Sequence, residues 1–315
     1  MSEINNYLEY INGYARRDQA GFVAGSERRY CNIIASVANR ISDSGHIKII
    51  MLAGPSSSGK TTTAKKLSQE LLKKGVKAHE ISLDDFYLNR EDAPLREDGT
   101  PDFETVHALD LPLLKTKLGE LIKNGESELP KFDFYSGKRS GEVEYIKLAK
   151  NDLVIIEGLH ALNPEIIQEL DNGKILKLYV SVASRIYDET QRIILNKRNL
   201  RFVRRMLRDE KFRASPVEHT YSLWNSVLTG EELYLRPYRK FADLLINSIH
   251  IYEPCVFKNE AVSALGTVPP ESSFFNDAQR LIKSLEMFES IDSSLVPGDS
   301  LLREFLGNAG LSDQS

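Results

Sequence analysis

From residue 47 onward, short apolar runs alternate with longer stretches in which apolar residues recur at helical spacing. Short apolar runs are typical of buried strands, and the helical spacing predicts amphipathic helices packed against them. The predicted strands are Lys48–Leu52, Ala78–Ser82, Leu153–Ile156, Leu176–Val182 and Leu244–Asn247. The predicted helices are Glu27–Ile41, Lys60–Lys74, Leu111–Asn124, Pro164–Leu170, Arg192–Asp209, Pro216–Thr229, Phe275–Phe288 and Leu301–Leu306. This alternation predicts an α/β fold, with a parallel sheet flanked by helices.

The same pattern divides the chain into three regions. We predict an N-terminal helical extension over residues 1–46, a core over 47–258 and a C-terminal helical tail over 259–315. Within the core, Lys131–Leu148 predicts a small hairpin with a glycine at its turn. The terminal helices can pack either on the core or on a second copy of the chain, so a homo-oligomer stays open.

Composition narrows the classes of function. The 315 residues carry a formal net charge of −4, which does not favour binding to nucleic acid or to an acidic membrane. No apolar run reaches membrane-spanning length, and the polar, acidic start does not resemble a signal peptide. Two cysteines, Cys31 and Cys255, give no disulfide framework and suit a reducing cytoplasm. We therefore expect a cytoplasmic protein whose partner is a small molecule.

A phosphate-binding motif follows the first predicted strand. Its residues are Gly54, Pro55, Ser56, Ser57, Ser58, Gly59, Lys60 and Thr61. In this pattern, backbone N–H groups cradle phosphate oxygens, the lysine reaches the β- and γ-phosphates, and the hydroxyl of Thr61 holds Mg²⁺. Thr62, the next residue, joins the nucleotide-binding set. A simple turn would need neither the lysine nor the threonine, so we predict a P-loop NTPase-type fold that binds ATP.

Carboxylates follow two other predicted strands. Asp84 comes just after Ala78–Ser82, at the sheet edge where an open α/β sheet binds its ligands. A carboxylate there can face the γ-phosphate and accept a proton from an incoming hydroxyl. Glu157 closes Leu153–Ile156, which favours a Mg²⁺ ligand over a capping or solvated carboxylate. His160 lies shortly after Glu157, but a lone histidine is more often packed in the core than catalytic.

A basic segment lies further along the chain. Its arginines recur at helical spacing, which places several guanidinium groups on one side and apolar residues on the other; they are Arg201, Arg204, Arg205 and Arg208. Such a helix can neutralise the transferring phosphoryl group and exclude water. We predict an arginine-bearing lid over about residues 198–215.

Seven segments of the core carry a resemblance to a known family: Gly54–Thr61, Ser82–Tyr87, Pro101–Glu104, His107–Asp110, Leu129–Phe134, Ile155–Gly158 and Arg204–Asp209. Together they resemble the uridine kinase and phosphoribulokinase family, and the tail segments Val268–Pro270 and Leu302–Phe305 resemble its bacterial uridine-kinase-like branch. The resemblance extends from about Ile47 to Asn247. It implies an ATP-dependent phosphotransferase with an alcohol group as acceptor, and ATP and Mg²⁺ as its cofactors.

The resemblance also implies roles for particular residues. Asp84 matches the catalytic aspartate, which orients and deprotonates the attacking 5′-hydroxyl and contacts Mg²⁺. Glu157 matches the acid that shares Mg²⁺ with the Thr61 hydroxyl. The residues that it places on the phosphates are Lys60, Arg205, Arg208 and Arg213, with the first three catalytic.

The implied acceptor pocket departs from the family, most of all at Gly137. Its residues are Asp84, Tyr87, Glu104, Phe132, Phe134 and Arg205. Glu104 stands where uridine kinases hold the ribose hydroxyls with an aspartate. Those enzymes read the base with two aromatic residues and a histidine, but Gly137 stands at the histidine position and has no imidazole. Loss of a polar reading group removes discrimination between bases.

We therefore predict a kinase that transfers the γ-phosphate of ATP to a small hydroxyl compound, with a nucleoside 5′-hydroxyl, as in uridine or cytidine, as the first candidate. A kinase of a sugar phosphate, pantothenate, glycerate or another polyol stays open. So does a nucleotide-binding protein without transfer activity. An RNA-associated ATPase would show strongly salt-dependent RNA binding, and the acidic charge balance disfavours it.

Overall fold

The structure, a computed structural model, describes residues 6–168, 170 and 174–307. Its strands are β1 (Ile49–Ala53), β2 (Ala78–Ser82), β3 (Glu126–Asp133), β4 (Lys138–Lys147), β5 (Leu153–Glu157), β6 (Ile175–Ser181), β7 (Ile186–Tyr187), β8 (Ile193–Leu195) and β9 (Leu244–Asn247). Five of them form a parallel sheet in the order β2-β5-β1-β6-β9. The predicted core strands are confirmed, each within one residue at either end.

Helices cover both faces of this sheet, as expected for parallel strands buried on two sides. They are α1 (Leu8–Arg17), α2 (Gln19–Ser44), α3 (Lys60–Leu72), α4 (Leu111–Asn124), α5 (Pro164–Ile167), α6 (Lys197–Arg213), α7 (Val217–Tyr234), α8 (Glu253–Leu265), α9 (Phe275–Glu286) and α10 (Arg303–Leu306). The α/β fold with a parallel sheet flanked by helices is confirmed. Part of the helix predicted over Pro164–Leu170, residue 169, lies outside the described residues.

The start of the basic helix was predicted wrongly. The sequence pattern extended it back to Arg192, but Ile193–Leu195 forms β8 and the helix begins at Lys197. Asn196 caps the helix through a reciprocal pair of hydrogen bonds with Asn199. Side-chain oxygens at a cap satisfy backbone N–H groups that lack helical partners, so the helix starts there.

The register of the sheet brings the phosphate loop and the two predicted carboxylates to the same edge. β5 lies between β2 and β1, and Glu157 at its end pairs with Ser82 of β2 and with Leu52 of β1. The phosphate loop follows β1, and Asp84 follows β2 after a single residue. Their chain segments therefore leave the sheet side by side at its carboxyl edge.

The N-terminal and C-terminal segments contact each other beside the core. The carboxylate of Glu27 on α2 accepts hydrogen bonds from the hydroxyls of Tyr252, at 2.6 Å, and Ser300, at 2.5 Å. Leu301, Leu302 and Phe305 are fully buried in an apolar cluster that also contains the buried side chains of α2. The boundaries that we placed at residues 46 and 258 stay a prediction.

Candidate active site

The loop between β1 and α3 has backbone conformations that few side chains adopt. Ser57 has a φ of +57° and Gly59 a φ of +85°. A Cβ at Gly54 would lie 2.7 Å from the Ser58 hydroxyl oxygen and closer still to the backbone of β6, so this position requires glycine. The buried hydroxyls of Ser57 and Ser58 have no hydrogen-bond partner among the described residues. Such groups are rare in proteins, and a bound anion would supply the missing partners.

Ser56 ties this loop to the helices around it. Its N–H donates to the Glu231 carboxylate at 2.9 Å, and its carbonyl accepts from Nε of Arg201 at 2.8 Å. Its hydroxyl accepts from the Arg205 guanidinium at 2.9 Å. Arg201 and Glu231 form a buried ion pair with each other. Three charged side chains of α6 and α7 thus fix the position of the loop.

The two carboxylates lie close to the start of α3. Glu157 accepts hydrogen bonds from the hydroxyls of Thr61, at 3.1 Å, and Ser82, at 3.3 Å. Burial raises the pKa of Glu157 to about 7, while the positive charge of Lys60 opposes the rise and Asp84 adds to it. Burial likewise raises the pKa of Asp84, and Lys60 again opposes it. Lys60, Asp84 and Glu157 therefore interact as one charged cluster.

The donors of this cluster fit Mg²⁺. Mg²⁺ prefers oxygen ligands and is usually held by one or two carboxylates, water and substrate phosphates. Thr61, Glu157 and Asp84 offer a hydroxyl and two carboxylates, and a cation would offset the cost of burying charge at Glu157. In the described part of the chain, no group of three or more His, Cys, Asp or Glu side chains is arranged to hold a metal. One hydroxyl and two carboxylates leave coordination positions that water and phosphate oxygens can fill.

Three arginines of α6 converge on one carboxylate. Asp209, almost fully buried, lies 3.2 Å from Arg205 and 3.3 Å from each of Arg208 and Arg213. The positive charges of Arg208 and Arg213 also act on Asp84, where they favour the ionised carboxylate. Arg208 and Arg213 therefore lie near the charged cluster at the sheet edge.

The expectation that Arg204 shares this face is wrong. Its side chain is fully buried, where Nε donates to Glu253 at 2.7 Å and Nη2 donates to the carbonyl of Ser248 at 2.9 Å. A third bond, at 3.3 Å, reaches the carbonyl of Ser57. Arg204 lies on the side of α6 that packs against α8, where it pairs with Glu253. It therefore supports the phosphate loop from the side opposite the charged cluster.

Glu104, which the sequence assigned to the acceptor pocket, lies near Asp84 and Arg205. Burial and repulsion from Glu231 raise its pKa to about 7, while Arg205 opposes the rise. Its N–H donates to Asp102 at 3.1 Å, and the hydroxyl of Tyr234 donates to the same carboxylate at 2.8 Å. Glu104 thus lies close to Arg205 and is held there by a small polar network.

Three aromatic side chains pack together near Asp84. The Phe132 ring centroid lies 6.0 Å from that of Tyr87 and 5.1 Å from that of Phe134. Gly137 has a φ of +69° in the turn of the hairpin, and a Cβ there would lie 2.6 Å from Cγ of Arg90. The guanidinium of Arg90 donates to the Phe134 carbonyl at 2.7 Å. The space beside the position expected to carry a histidine is therefore filled by an arginine.

Sequence reasoning did not find Glu231, Gly230 or Tyr234, which all lie on α7. Nothing in the sequence marks them, because a glycine, a glutamate and a tyrosine in a helix carry no motif. His160, which the sequence did point to, is buried, and burial lowers its pKa to about 4. The backbone of Glu104 lies close enough to act on the ring. The imidazole is therefore a buried, neutral group beside Glu104.

Gly230 provides a test of the position of Glu104. A Cβ at Gly230 would lie 2.7 Å from Cγ of Glu104 and closer to its Cβ, so Gly230→Ala must displace that side chain. We expect the KM for the hydroxyl acceptor to rise about tenfold, the effect of losing one polar contact, while the KM for ATP stays unchanged. Steady-state kinetics with each substrate varied in turn measures both constants.

Gly119→Ala is the matched control, because a Cβ at that helical glycine would meet no atom within 4 Å. Both substitutions replace a helical glycine by alanine, which by itself favours the helix. Equal acceptor KM values in the two variants would contradict the placement of Glu104 beside the acceptor.

The sheet, the loop at its edge and the carboxylates beside it define a P-loop protein of the kinase type. The sequence model of the phosphoribulokinase/uridine kinase family matches residues 49–253, and the chain belongs to this family. It is 27% identical over 203 residues to a uridine kinase of Lactobacillus helveticus, a match that covers 63% of this chain and 85% of that protein. It is 26% identical over 215 residues to a uridine kinase of Deinococcus deserti, covering 67% and 94%.

Solved structures resemble the chain at lower identity. A structure described as a possible uridine kinase from Bacillus stearothermophilus is 21% identical, with a TM-score of 0.44, and the match covers 64% of this chain and 88% of that one. A phosphoribulokinase from Rhodobacter spheroides is 19% identical, with a TM-score of 0.42, and the match covers 64% and 70%. In the part of the chain that the structure describes, no helix is both long enough and apolar enough to cross a membrane.

Proposed function

We propose that this protein is an ATP- and Mg²⁺-dependent kinase that phosphorylates a hydroxyl group of a small molecule, with a nucleoside 5′-hydroxyl as the first candidate. The observation that carries the proposal is the charged cluster at the sheet edge. Thr61 lies 3.1 Å from Glu157, and Lys60 acts electrostatically on both Glu157 and Asp84. A phosphate loop that only binds nucleotide would not need Asp84 beside the buried Glu157.

In this proposal, residues of the chain bind and orient the two substrates. Lys60 and the loop N–H groups hold the phosphates of ATP, and Arg205, Arg208 and Arg213 neutralise charge on the transferring group. Asp84 orients the acceptor hydroxyl and accepts its proton. Thr61 and Glu157, with Asp84, would hold Mg²⁺, which supplies neutralising charge at the phosphate oxygens when bound.

The acceptor side supports two candidate classes. Phe132, Phe134 and Tyr87 offer aromatic faces on which a base can stack, and the curated relatives are uridine kinases. Against base reading, Gly137 has no polar side chain, and Arg90 places a cation beside it. That cation favours an anionic acceptor such as a sugar phosphate, pantothenate or glycerate as the second candidate.

A panel of acceptors separates these classes. We expect ADP release from ATP and Mg²⁺ with uridine or cytidine, above the rate without acceptor. Release only with sugar phosphates, pantothenate or glycerate would support the second candidate. ATP binding without ADP release for any acceptor would refute the kinase proposal and leave a nucleotide-binding protein.

A further inference from the structure

The C-terminal segment Asp299–Leu306, which we call the strap, packs against the candidate nucleotide site. It lies beyond residues 49–253, which the family model matches. Leu301 is fully buried against the phosphate loop, and a Cβ at Gly59 would lie 2.9 Å from Cγ of Leu301. The strap thus forms a wall directly beside the loop glycine that precedes Lys60.

Contacts on several sides fix the strap in this position. The Ser300 hydroxyl donates to Glu27 at 2.5 Å, and Lys66 pairs with Asp299 at 2.8 Å. Nζ of Lys211 donates to the carbonyl of Leu306 at 2.7 Å. The strap is therefore anchored to α2, α3 and α6 at once, and its path past the loop is a property of the fold.

Glu304 is the strap residue that reaches the proposed phosphate-binding groups. Its carboxylate accepts a hydrogen bond from the Thr62 hydroxyl at 2.9 Å. Its other oxygen lies 3.9 Å from Nη1 of Arg208. Thr62 and Arg208 are both assigned above to nucleotide phosphates. The carboxylate of Glu304 therefore contacts a hydroxyl donor and a cation that a nucleotide would also use.

We propose that Glu304 sets the affinity of the site for nucleotide by competing with its phosphates for Thr62 and Arg208. The inference rests on the proposed function, since it assumes that phosphates bind at this loop. A carboxylate and a phosphate that share one cation repel each other, and at a site only about one quarter exposed water screens this repulsion weakly. Nucleotide binding then requires the Glu304 side chain to move aside while the buried leucines hold the strap.

Replacement of Glu304 by glutamine tests this competition. Glu304→Gln keeps the shape of the side chain and an oxygen that accepts from Thr62, so the fold is retained, but it removes the negative charge. We expect the Kd of a non-hydrolysable ATP analogue with Mg²⁺ to fall by roughly 3- to 10-fold, as measured by calorimetry. The difference should shrink at high salt, because salt screens charge repulsion.

Glu271→Gln is the matched control, since it removes the same charge from an exposed position in the C-terminal region. We expect its Kd to equal that of the unaltered protein, and thermal denaturation reports whether both variants are folded. Unchanged or weaker binding in Glu304→Gln overturns the inference, and weaker binding would show that Glu304 positions Thr62 and Arg208 instead. If the unaltered protein binds no nucleotide, the proposed function itself is refuted.

Discussion

Asp84→Asn is expected to lower the rate of phosphoryl transfer by about 10²- to 10⁴-fold, the range that general-base groups contribute. Asparagine keeps the size of the side chain but cannot take the proton of the acceptor hydroxyl. Steady-state ADP release with the acceptor that the panel identifies measures the loss. Binding of a non-hydrolysable ATP analogue should change little, because the loop and Lys60 remain intact.

Asp85→Asn serves as the control for this experiment. Asp85 carries the same charge one residue further on, but it accepts hydrogen bonds from the N–H of Phe132, at 3.2 Å, and from Lys131, at 3.3 Å. It therefore fixes the hairpin that carries the aromatic rings. We expect a rise in acceptor KM with a much smaller change in kcat. Equal loss of kcat in both variants, or near-normal turnover in Asp84→Asn, would contradict the role of Asp84.

Lys60→Ala is expected to lower turnover by about 10²- to 10³-fold, since it removes a preorganised positive charge from the transferring phosphoryl group. Lys60 is also a positive charge that acts on both carboxylates, Asp84 and Glu157. Its removal also takes away the cation that would contact the β- and γ-phosphates, so Mg²⁺-dependent nucleotide binding should weaken as well. Kinetics at saturating ATP and calorimetry separate the two effects.

Lys65→Ala is the comparison for this variant. Lys65 lies on the same helix, α3, five residues beyond Lys60 and away from the loop. We expect it to retain nearly full turnover. A mild effect of Lys60→Ala, similar to that of Lys65→Ala, would argue against this loop as the phosphate site.

Local rules in the sequence predicted the sheet and the loop closely. Strands buried on both faces read as apolar runs, and the phosphate loop needs particular residues at fixed spacing, so both are visible without any long-range contact. The start of α6 was missed because the apolar residues of β8 continue the helical spacing. The side chain of Asn196, which caps α6, shows that the helix begins at Lys197.

The candidate acceptor side was predicted less completely. The sequence pointed to Glu104, Phe132 and Phe134, but not to Gly230 or Glu231, because those residues matter through contacts with segments far away in the chain. Gly137 was recognised as lacking an imidazole. That Arg90 fills the space beside it follows only from the way the hairpin turn folds back on residues 90–92.

The sequence by itself therefore determined a P-loop fold with Lys60, Asp84 and Glu157 around its phosphate loop, because motif spacing and strand order place them at one sheet edge. The tertiary structure decided which arginines of α6 point toward that edge and which are buried behind it, since packing against α8 selects the helix face. It also decided that Glu304, more than 240 residues after Lys60, lies against Thr62. Contacts between such distant segments depend on the packing of the whole chain, which no local pattern encodes.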